Sequence, residues 1–166
     1  MRAMFEHSAT DAILFVDAAN AFNNINRRTA LLNIRHICPS IATVLINCYQ
    51  ESTSLYVEGS VLLSQEGTTQ GNPLAVAMFS FASIPLIQKI ASPVTTQTWF
   101  ADDAASGGKL RDIQSWWEKL IIHGPRFGYF PNAAKTFLLV KSPKLAEAEE
   151  VFSGTGIHIT DKGRPT

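Results

Sequence analysis

The chain has 166 residues, of which 46% are hydrophobic and 17% are charged, and its 14 Lys and Arg residues balance its 14 Asp and Glu residues. This composition excludes a disordered chain and suits one globular domain over residues 1–166. A domain that binds nucleic acid unaided is usually basic, so the neutral charge counts against that class, unless acidic metal ligands offset a basic surface. Cys38 and Cys48 are too few for a disulfide framework or a zinc cluster, and we expect both to be buried thiols.

No segment of the sequence has the pattern of a membrane or export signal. The N-terminal residues lack the apolar core of a secretory signal peptide. The longest apolar run, 73–87, is interrupted by Ser80, Ser83 and Pro85 and is too short to span a membrane. We therefore expect an intracellular protein without membrane contact, with cytoplasm and nucleus not distinguished.

Apolar runs, helical spacing and turn residues predict an α+β pattern, a mixed sheet with helices to one side. Residues 11–17 form an apolar run that ends in a charge, which is typical of a buried strand. Asn23 and Asn24 are candidate N-caps for a helix over 26–37, and Pro39 begins the next helix. The later predicted elements are a hairpin of strands 55–57 and 61–64, a helix over 72–90, a hairpin of strands 95–101 and 104–108, a helix over 109–123, a strand at 137–140, a helix at 146–152 and a strand at 157–159.

Three aspartates stand where predicted strands end. Asp17 ends the first strand, and the second hairpin places Asp102 and Asp103 in its turn. If the strands are neighbours, three carboxylates meet at one edge of the sheet, where they would bind two divalent cations roughly 3.5–4 Å apart, as in phosphoryl transfer. Mg²⁺ takes carboxylates and substrate phosphates, so His and Cys ligands are not required. Taken alone, the pair Asp102-Asp103 favours an ordinary polar turn, and Asp17 alone favours an ordinary strand end.

Four segments occur in an order that identifies a family resemblance. FVDAANAF, TTQGNPLA, FADD and GYFPNAAKT resemble the successive palm motifs of retroelement reverse transcriptases, over roughly residues 13–156. The resemblance implies an α+β polymerase palm, with a ferredoxin-like or RRM-like antiparallel sheet and helices on one face. It also implies an RNA-directed DNA polymerase of a retrotransposon, which transfers a nucleotidyl group from a dNTP to a primer 3′-hydroxyl on an RNA or DNA template. The implied cofactors are two Mg²⁺ ions, with Mn²⁺ as an alternative.

The resemblance assigns catalytic and metal-binding roles to residues of three motifs. It implies that the Asp17 carboxylate and the backbone carbonyl of Ala18 bind metal. Asp102 would be the principal ligand from the hairpin turn, and Asp103 would be a weaker or supporting ligand. Lys135 matches a lysine that protonates the leaving pyrophosphate or steadies the triphosphate, although a solvated charge at a strand start explains this residue equally well.

Three residues are implied to bind the nucleotide. Phe22 matches an aromatic gate that blocks a ribose 2′-hydroxyl and so favours deoxynucleotides. Gln70 would hydrogen-bond the incoming nucleotide or the template, and Gly71 lets backbone approach a base or sugar closely. The alternatives are a core phenylalanine and an ordinary Gly-Pro start of a helix, which gives Gln70 no role.

The remaining conspicuous residues are interpreted as structural. Trp116 and Trp117 lie on an apolar helix face, so core packing is favoured over base stacking. Arg27 and Arg28 are interpreted as a solvated helix face rather than a phosphate contact. The histidines lack metal-ligand spacing and are interpreted as structural or surface residues: His7, His36, His123 and His158.

The resemblance leaves three functional alternatives. In the family, a fingers subdomain precedes the first motif and a thumb follows the last, and most of both is missing here. We therefore expect a truncated palm whose missing parts are supplied by self-association or by a separate chain. The alternatives are a reverse transcriptase palm, an inactive palm remnant that only binds nucleic acid or a partner protein, and another two-metal nucleotidyl enzyme such as a cyclase or an RNA polymerase.

Overall fold

The computed structural model describes residues 2–68 and 71–163, and the chain divides into two compact units. The first unit comprises Met1–Ala19, Ile90–His123 and Pro131–Thr166, and the second comprises Asn20–Lys89 and Gly124–Phe130. The elements in chain order are α1 (Arg2–Glu6), β1 (Ala12–Val16), α2 (Ala21–Asn24), α3 (Arg27–Ile37), α4 (Pro39–Tyr49), β2 (Thr53–Val57), β3 (Ser60–Ser64), α5 (Ala75–Ile90), β4 (Thr96–Phe100), β5 (Asp103–Gly108), α6 (Leu110–His123), β6 (Phe137–Val140), α7 (Leu145–Val151) and β7 (His158–Thr160). Among the described residues, no helix combines the length and apolar character that a bilayer span requires.

The first unit contains a five-stranded sheet in the order β4-β5-β1-β6-β7. Strand β1 is central and pairs antiparallel with both β5 and β6, whereas β7 pairs parallel with β6. The sheet is therefore mixed, as the pattern of elements in the sequence predicts, and only β7 departs from the antiparallel sheet that the family resemblance implies. The physical reason is the connection, because α7 lies between β6 and β7 in the chain and a helical crossover returns the next strand in the same direction.

Helix α6 packs against β1 and β5 and covers one face of this sheet. Its residues Ile113, Trp116 and Leu120 are at most 1% exposed, as their helical spacing predicts. The indole N–H groups of Trp116 and Trp99 both donate to Gln97 Oε1, at 3.1 and 3.2 Å. Core packing by the tryptophans of α6 is thereby confirmed. This face of the sheet is closed by helix packing.

In the second unit, helices α3 and α4 pack on each other. Asn26 caps α3, since its side chain accepts a hydrogen bond from Thr29 N at 2.8 Å, so the expected caps at Asn23 and Asn24 are wrong. Pro39 begins α4 as predicted. Along α4 the buried positions are Ala42, Leu45 and Tyr49. The two cysteines lie off that stripe: Cys48 is exposed and Cys38 half-buried, so the expectation of two buried thiols is wrong.

Arg27 is buried at the start of α3, with 6% of its surface exposed. Its guanidinium donates to the carbonyl oxygens of Ser64 at 2.9 Å and Glu66 at 3.0 Å, and to that of Gly67 at 3.1 Å. It also donates to the Ser64 hydroxyl at 3.1 Å. A planar guanidinium can satisfy several acceptors at once. The interpretation as a solvated helix face is therefore wrong for Arg27 and correct for Arg28, which is exposed.

Candidate active site

Strand pairing in the first unit places two aspartates at the same edge of the sheet. Val16, the last residue of β1, pairs with Ala104 of β5, so Asp17 follows β1 beside the position of Asp103. Phe100 pairs with Asp103 across the β4–β5 hairpin. The expected neighbourhood of these strand ends is therefore formed, with β5 between β4 and β1.

The β4–β5 hairpin separates the two adjacent aspartates. Its turn consists of Ala101 and Asp102, and Ala101 adopts a positive φ of 50°. Asp103 already belongs to β5, so the expected turn at Asp102-Asp103 is shifted by one residue. Because residues two apart on a strand share a face, Asp103 and Ala105 lie on the same side of the sheet. Asp102 is half-buried in the turn.

The sheet face opposite α6 forms the floor of a cleft with a volume of about 950 Å³. Its apolar floor is built on Phe15 and Phe137, whose rings stack at a centroid distance of 4.7 Å and an interplanar angle of 12°. Phe100, at the end of β4, is 81% exposed at the rim. The lining residues that bear polar or charged side chains are Asp17, Thr98, Asp103, Lys135, Thr136 and His158. Asp17 and Asp103 thus line one cleft, whereas Asp102 does not.

Lys135 is held beside Asp17 by the segment that precedes β6. The backbone N–H of Asn132 donates to the Asp17 carbonyl oxygen at 2.8 Å, and Ala18 forms an isolated antiparallel bridge with Pro131. A 3₁₀ turn over Ala133–Lys135 follows and ends at Lys135. The Lys135 ammonium nitrogen lies 3.9 Å from Asp17 Oδ2. Asn132 thus positions the lysine of this motif in addition to shaping the turn.

Two carboxylates and one ammonium group therefore share the cleft. Carboxylate oxygens are the ligands that Mg²⁺ and Mn²⁺ take together with substrate phosphates, so Asp17 and Asp103 are donors of the type that these cations require. Within the described ranges 2–68 and 71–163, no group of three or more His, Cys, Asp or Glu side chains is arranged to hold a metal ion. The expected convergence of three carboxylates is not formed, because Asp102 lies in the turn and Asp103 on the strand.

The residues expected to bind the nucleotide belong to the second unit. Phe22 lies on α2 and stacks on Phe79 of α5 at 4.7 Å between ring centroids, with 29° between the planes. The Phe22 carbonyl accepts from Thr68 N at 2.7 Å, which ties α2 to the first residue of the second motif. Gly71 has a φ of 85°, and a Cβ built there would meet no atom within 4 Å. Gln70 lies outside the described residues.

His158 is a cleft residue that motif reading did not single out. It is the first residue of β7 and pairs with Phe137, which brings it to the floor of the cleft. Its side chain is exposed, so the interpretation as a surface residue holds. The sequence could identify His158 as a cleft residue only if the register between β6 and β7 were known. No family model matches the chain, and no curated protein sequence matches it.

Proposed function

We propose that this chain is the palm of a retroelement reverse transcriptase. In this proposal it transfers a nucleotidyl group from a dNTP to a primer 3′-hydroxyl on a nucleic-acid template. The observation that carries the proposal is the pair Asp17 and Asp103, which line one cleft beside Lys135 at the end of adjacent strands. Within the first unit, the strands β1, β4, β5 and β6 and the helix α6 give further support, since they match part of the strand–helix–strand–strand–helix–strand pattern of ferredoxin-like sheets.

The carboxylates of Asp17 and Asp103 would hold the divalent cations. When bound, such ions polarise the phosphoryl oxygens and stabilise the attacking and leaving oxygens of an in-line displacement. The primer 3′-oxygen forms a bond to the α-phosphorus as the bond from that phosphorus to the bridging oxygen of pyrophosphate breaks. The proton of the 3′-hydroxyl passes to solvent. Nucleotide addition and pyrophosphate release therefore balance without any redox partner.

Lys135 serves as the general acid in this proposal. Its ammonium group donates a proton to the leaving pyrophosphate, and a positioned general acid contributes about 10²–10⁴-fold to a rate. The 69% exposure of its side chain lets it reach a bound triphosphate, while the contact with Asp17 keeps the charge in the cleft. Asn132 supports this position through its hydrogen bond to the Asp17 carbonyl.

Phe22 supports deoxynucleotide selectivity. A ring fixed by stacking on Phe79 presents a rigid steric block, which rejects a substituent better than a mobile side chain does. Under this proposal the substrate is a dNTP and the partner is a primer–template. A polar side chain at the same position would favour ribonucleotides instead.

The direct test is dTTP incorporation on poly(rA)/oligo(dT) with Mg²⁺ or Mn²⁺. The parent chain is compared with an Asp17→Asn and Asp103→Asn double variant, and with Glu118→Gln as a matched control. Glu118 is an exposed carboxylate on α6, on the opposite side of the sheet from the cleft. We expect incorporation by the parent and by the control, and at least about a 10²-fold loss in the double variant.

A second readout separates catalysis from binding. Mn²⁺ binding, followed by electron paramagnetic resonance, is expected to weaken in the double variant and to persist in Glu118→Gln. If the parent binds primer–template but incorporates no dTTP, and the double variant binds equally well, the catalytic proposal is overturned in favour of a palm that only binds nucleic acid. Circular dichroism checks that all three chains are folded.

A further inference from the structure

The β2–β3 hairpin of the second unit exposes apolar side chains on both of its faces. Leu55, Val57 and Leu62 lie on one face, because Leu55 pairs with Leu62 and residues two apart share a side. Tyr56, Val61 and Leu63 lie on the other face by the same alternation. These six side chains are between 48% and 81% exposed. An isolated two-stranded hairpin is at best marginally stable in water. An antiparallel sheet that covers only one of its faces usually carries polar side chains on the other face.

The hairpin is nevertheless firmly built at both of its ends. Its turn is Glu58-Gly59, with φ values of 48° and 79°, which is the two-residue geometry that matches the twist of paired strands. At the other end, the Arg27 guanidinium holds Ser64 through its carbonyl and hydroxyl oxygens. The exposed apolar surface is therefore presented on a defined element, and contiguous exposed apolar surface of this kind marks an interaction site.

The outer edge of β3 can accept another strand. In the described part of the chain, the sheet has only β2 and β3. Val57 and Ser60 flank the two-residue turn as a hydrogen-bonded pair. Along an antiparallel ladder such pairs alternate with pairs whose N–H and C=O groups point away from the partner strand. The N–H and C=O groups of Val61 and Leu63 consequently point to the free edge. The strand has neither Pro nor a charged residue, the usual features that prevent edge pairing.

We propose that a second copy of this chain pairs antiparallel along β3, which makes a four-stranded sheet across a two-fold axis. The sequence of β3, Ser-Val-Leu-Leu-Ser, has the same pattern in both directions about Leu62. Pairing of the outward groups sets Leu62 opposite Leu62 of the second copy. Val61 then meets Leu63, and Ser60 meets Ser64. Apolar side chains meet apolar side chains and hydroxyls meet hydroxyls, which is the self-complementarity that a two-fold interface requires.

The other edge of the hairpin fits this role less well. Self-pairing of β2 about Leu55 would set Ser54 opposite Tyr56 and Thr53 opposite Val57, so hydroxyls would face apolar groups. Edge pairing brings Val61, Leu62 and Leu63 of the two copies together and leaves most of the β2 side chains uncovered, so it buries less surface than a standard interface does. A standard stable interface buries about 800 Å² per partner. We therefore expect a dimer that forms in the micromolar range, and this inference does not depend on the proposed function.

The test is sedimentation equilibrium of the full chain across the micromolar range, with charge variants at the two-fold axis. Leu62→Lys and Leu62→Glu each set like charges opposite each other, so each alone is expected to raise the dimer dissociation constant at least about tenfold. An equimolar mixture of the two variants sets opposite charges there and is expected to restore dimerisation. Leu55→Lys, on the same hairpin face but on β2, is the matched control and is expected to dimerise nearly as the parent does.

Two outcomes overturn the inference. One is a parent chain that stays monomeric throughout the concentration range. This result would mean that another protein, or another segment of a longer chain, covers the hairpin. The other is equal loss of dimer in Leu55→Lys and Leu62→Lys without recovery in the mixture, which would place the axis elsewhere. All positions changed are exposed, so the variants are expected to fold, and circular dichroism checks this.

Discussion

The ammonium nitrogen of Lys135 lies 3.9 Å from Oδ2 of Asp17 in the cleft of the first unit. The side chains are 69% and 40% exposed, so solvent screens their attraction, and such a pair contributes only about 0–1 kcal/mol to folding. The contact thus does little for stability. Its consequence is that the Lys135 ammonium group stays beside the Asp17 carboxylate, where the proposed substrate phosphates would bind.

Lys135→Gln is expected to leave the fold intact and to impair nucleotide incorporation. The free energy of unfolding in urea should change by less than about 1 kcal/mol, because the ion pair is exposed. The incorporation rate should fall by about 10²–10⁴-fold if the ammonium protonates pyrophosphate. Lys119→Gln, an exposed lysine on α6, is the control. Unchanged incorporation in Lys135→Gln would identify Lys135 as an ordinary solvated charge.

Asp103→Asn is expected to impair the site more than Asp102→Asn. Asp103 lines the cleft with Asp17, whereas Asp102 lies in the hairpin turn. Loss of one of two carboxylate ligands should weaken Mn²⁺ binding at least about tenfold, since changes to the groups that merely orient metal ligands already cost about 10–100-fold. Electron paramagnetic resonance of Mn²⁺ and dTTP incorporation measure the two effects. A larger loss in Asp102→Asn would instead agree with the ligand order that the motif resemblance implies.

Phe22→Val is expected to relax discrimination between dTTP and UTP. Removal of the ring opens the space for a 2′-hydroxyl, and selectivity should fall by about tenfold or more, equivalent to roughly 1.4 kcal/mol. Phe79→Leu removes the same ring stack but keeps Phe22, and it serves as the control for lost stacking. Competition between the two nucleotides on one primer–template measures the ratio. Equal relaxation in both variants would mean that packing, rather than the gate itself, sets selectivity.

Gly128→Ala is expected to destabilise the chain far more than Gly154→Ala. Both glycines have positive φ values, 79° and 74°, so each alanine incurs a left-handed backbone cost of about 1–2 kcal/mol. A Cβ at Gly128 would also lie 2.0 Å from the carbonyl oxygen of Asn24, while a Cβ at Gly154 would meet no atom within 4 Å. Urea unfolding of the two variants isolates the steric contribution. Equal losses would show that the backbone around Gly128 relaxes freely.

Arg27→Met is expected to lower the free energy of unfolding by about 2–4 kcal/mol, because it removes the donor to the buried Gly67 carbonyl oxygen and to the part-buried Ser64 carbonyl oxygen. Arg28→Met changes the neighbouring, exposed arginine in the same way and should cost less than about 0.5 kcal/mol. Urea denaturation measures both variants. A loss in Arg27→Met as small as that in Arg28→Met would mean that solvent satisfies those carbonyls.

Local sequence patterns determined most of the elements. Apolar runs and helical spacing predicted β1 and α6, and a Gly-containing turn predicted the β2–β3 hairpin, because strand alternation, helical periodicity and turn geometry are properties of a few adjacent residues. Sequence reasoning also identified residues of the candidate site, including Asp17, Asp103 and Lys135. Their assignment depended on the order of the motifs, since each residue alone has an ordinary structural explanation.

Only the tertiary structure decided which of these residues meet. The register of β1 with β5 brings Asp17 beside Asp103, and the one-residue position of the turn leaves Asp102 outside the cleft. Burial of Arg27 depends on Ser64 and Gly67, which are distant in the chain. Sequence encodes periodicity over a few residues, whereas strand register and the partners of a buried charge depend on contacts between segments far apart. Those contacts therefore fixed the cleft, the parallel strand β7 and the exposed edge of β3.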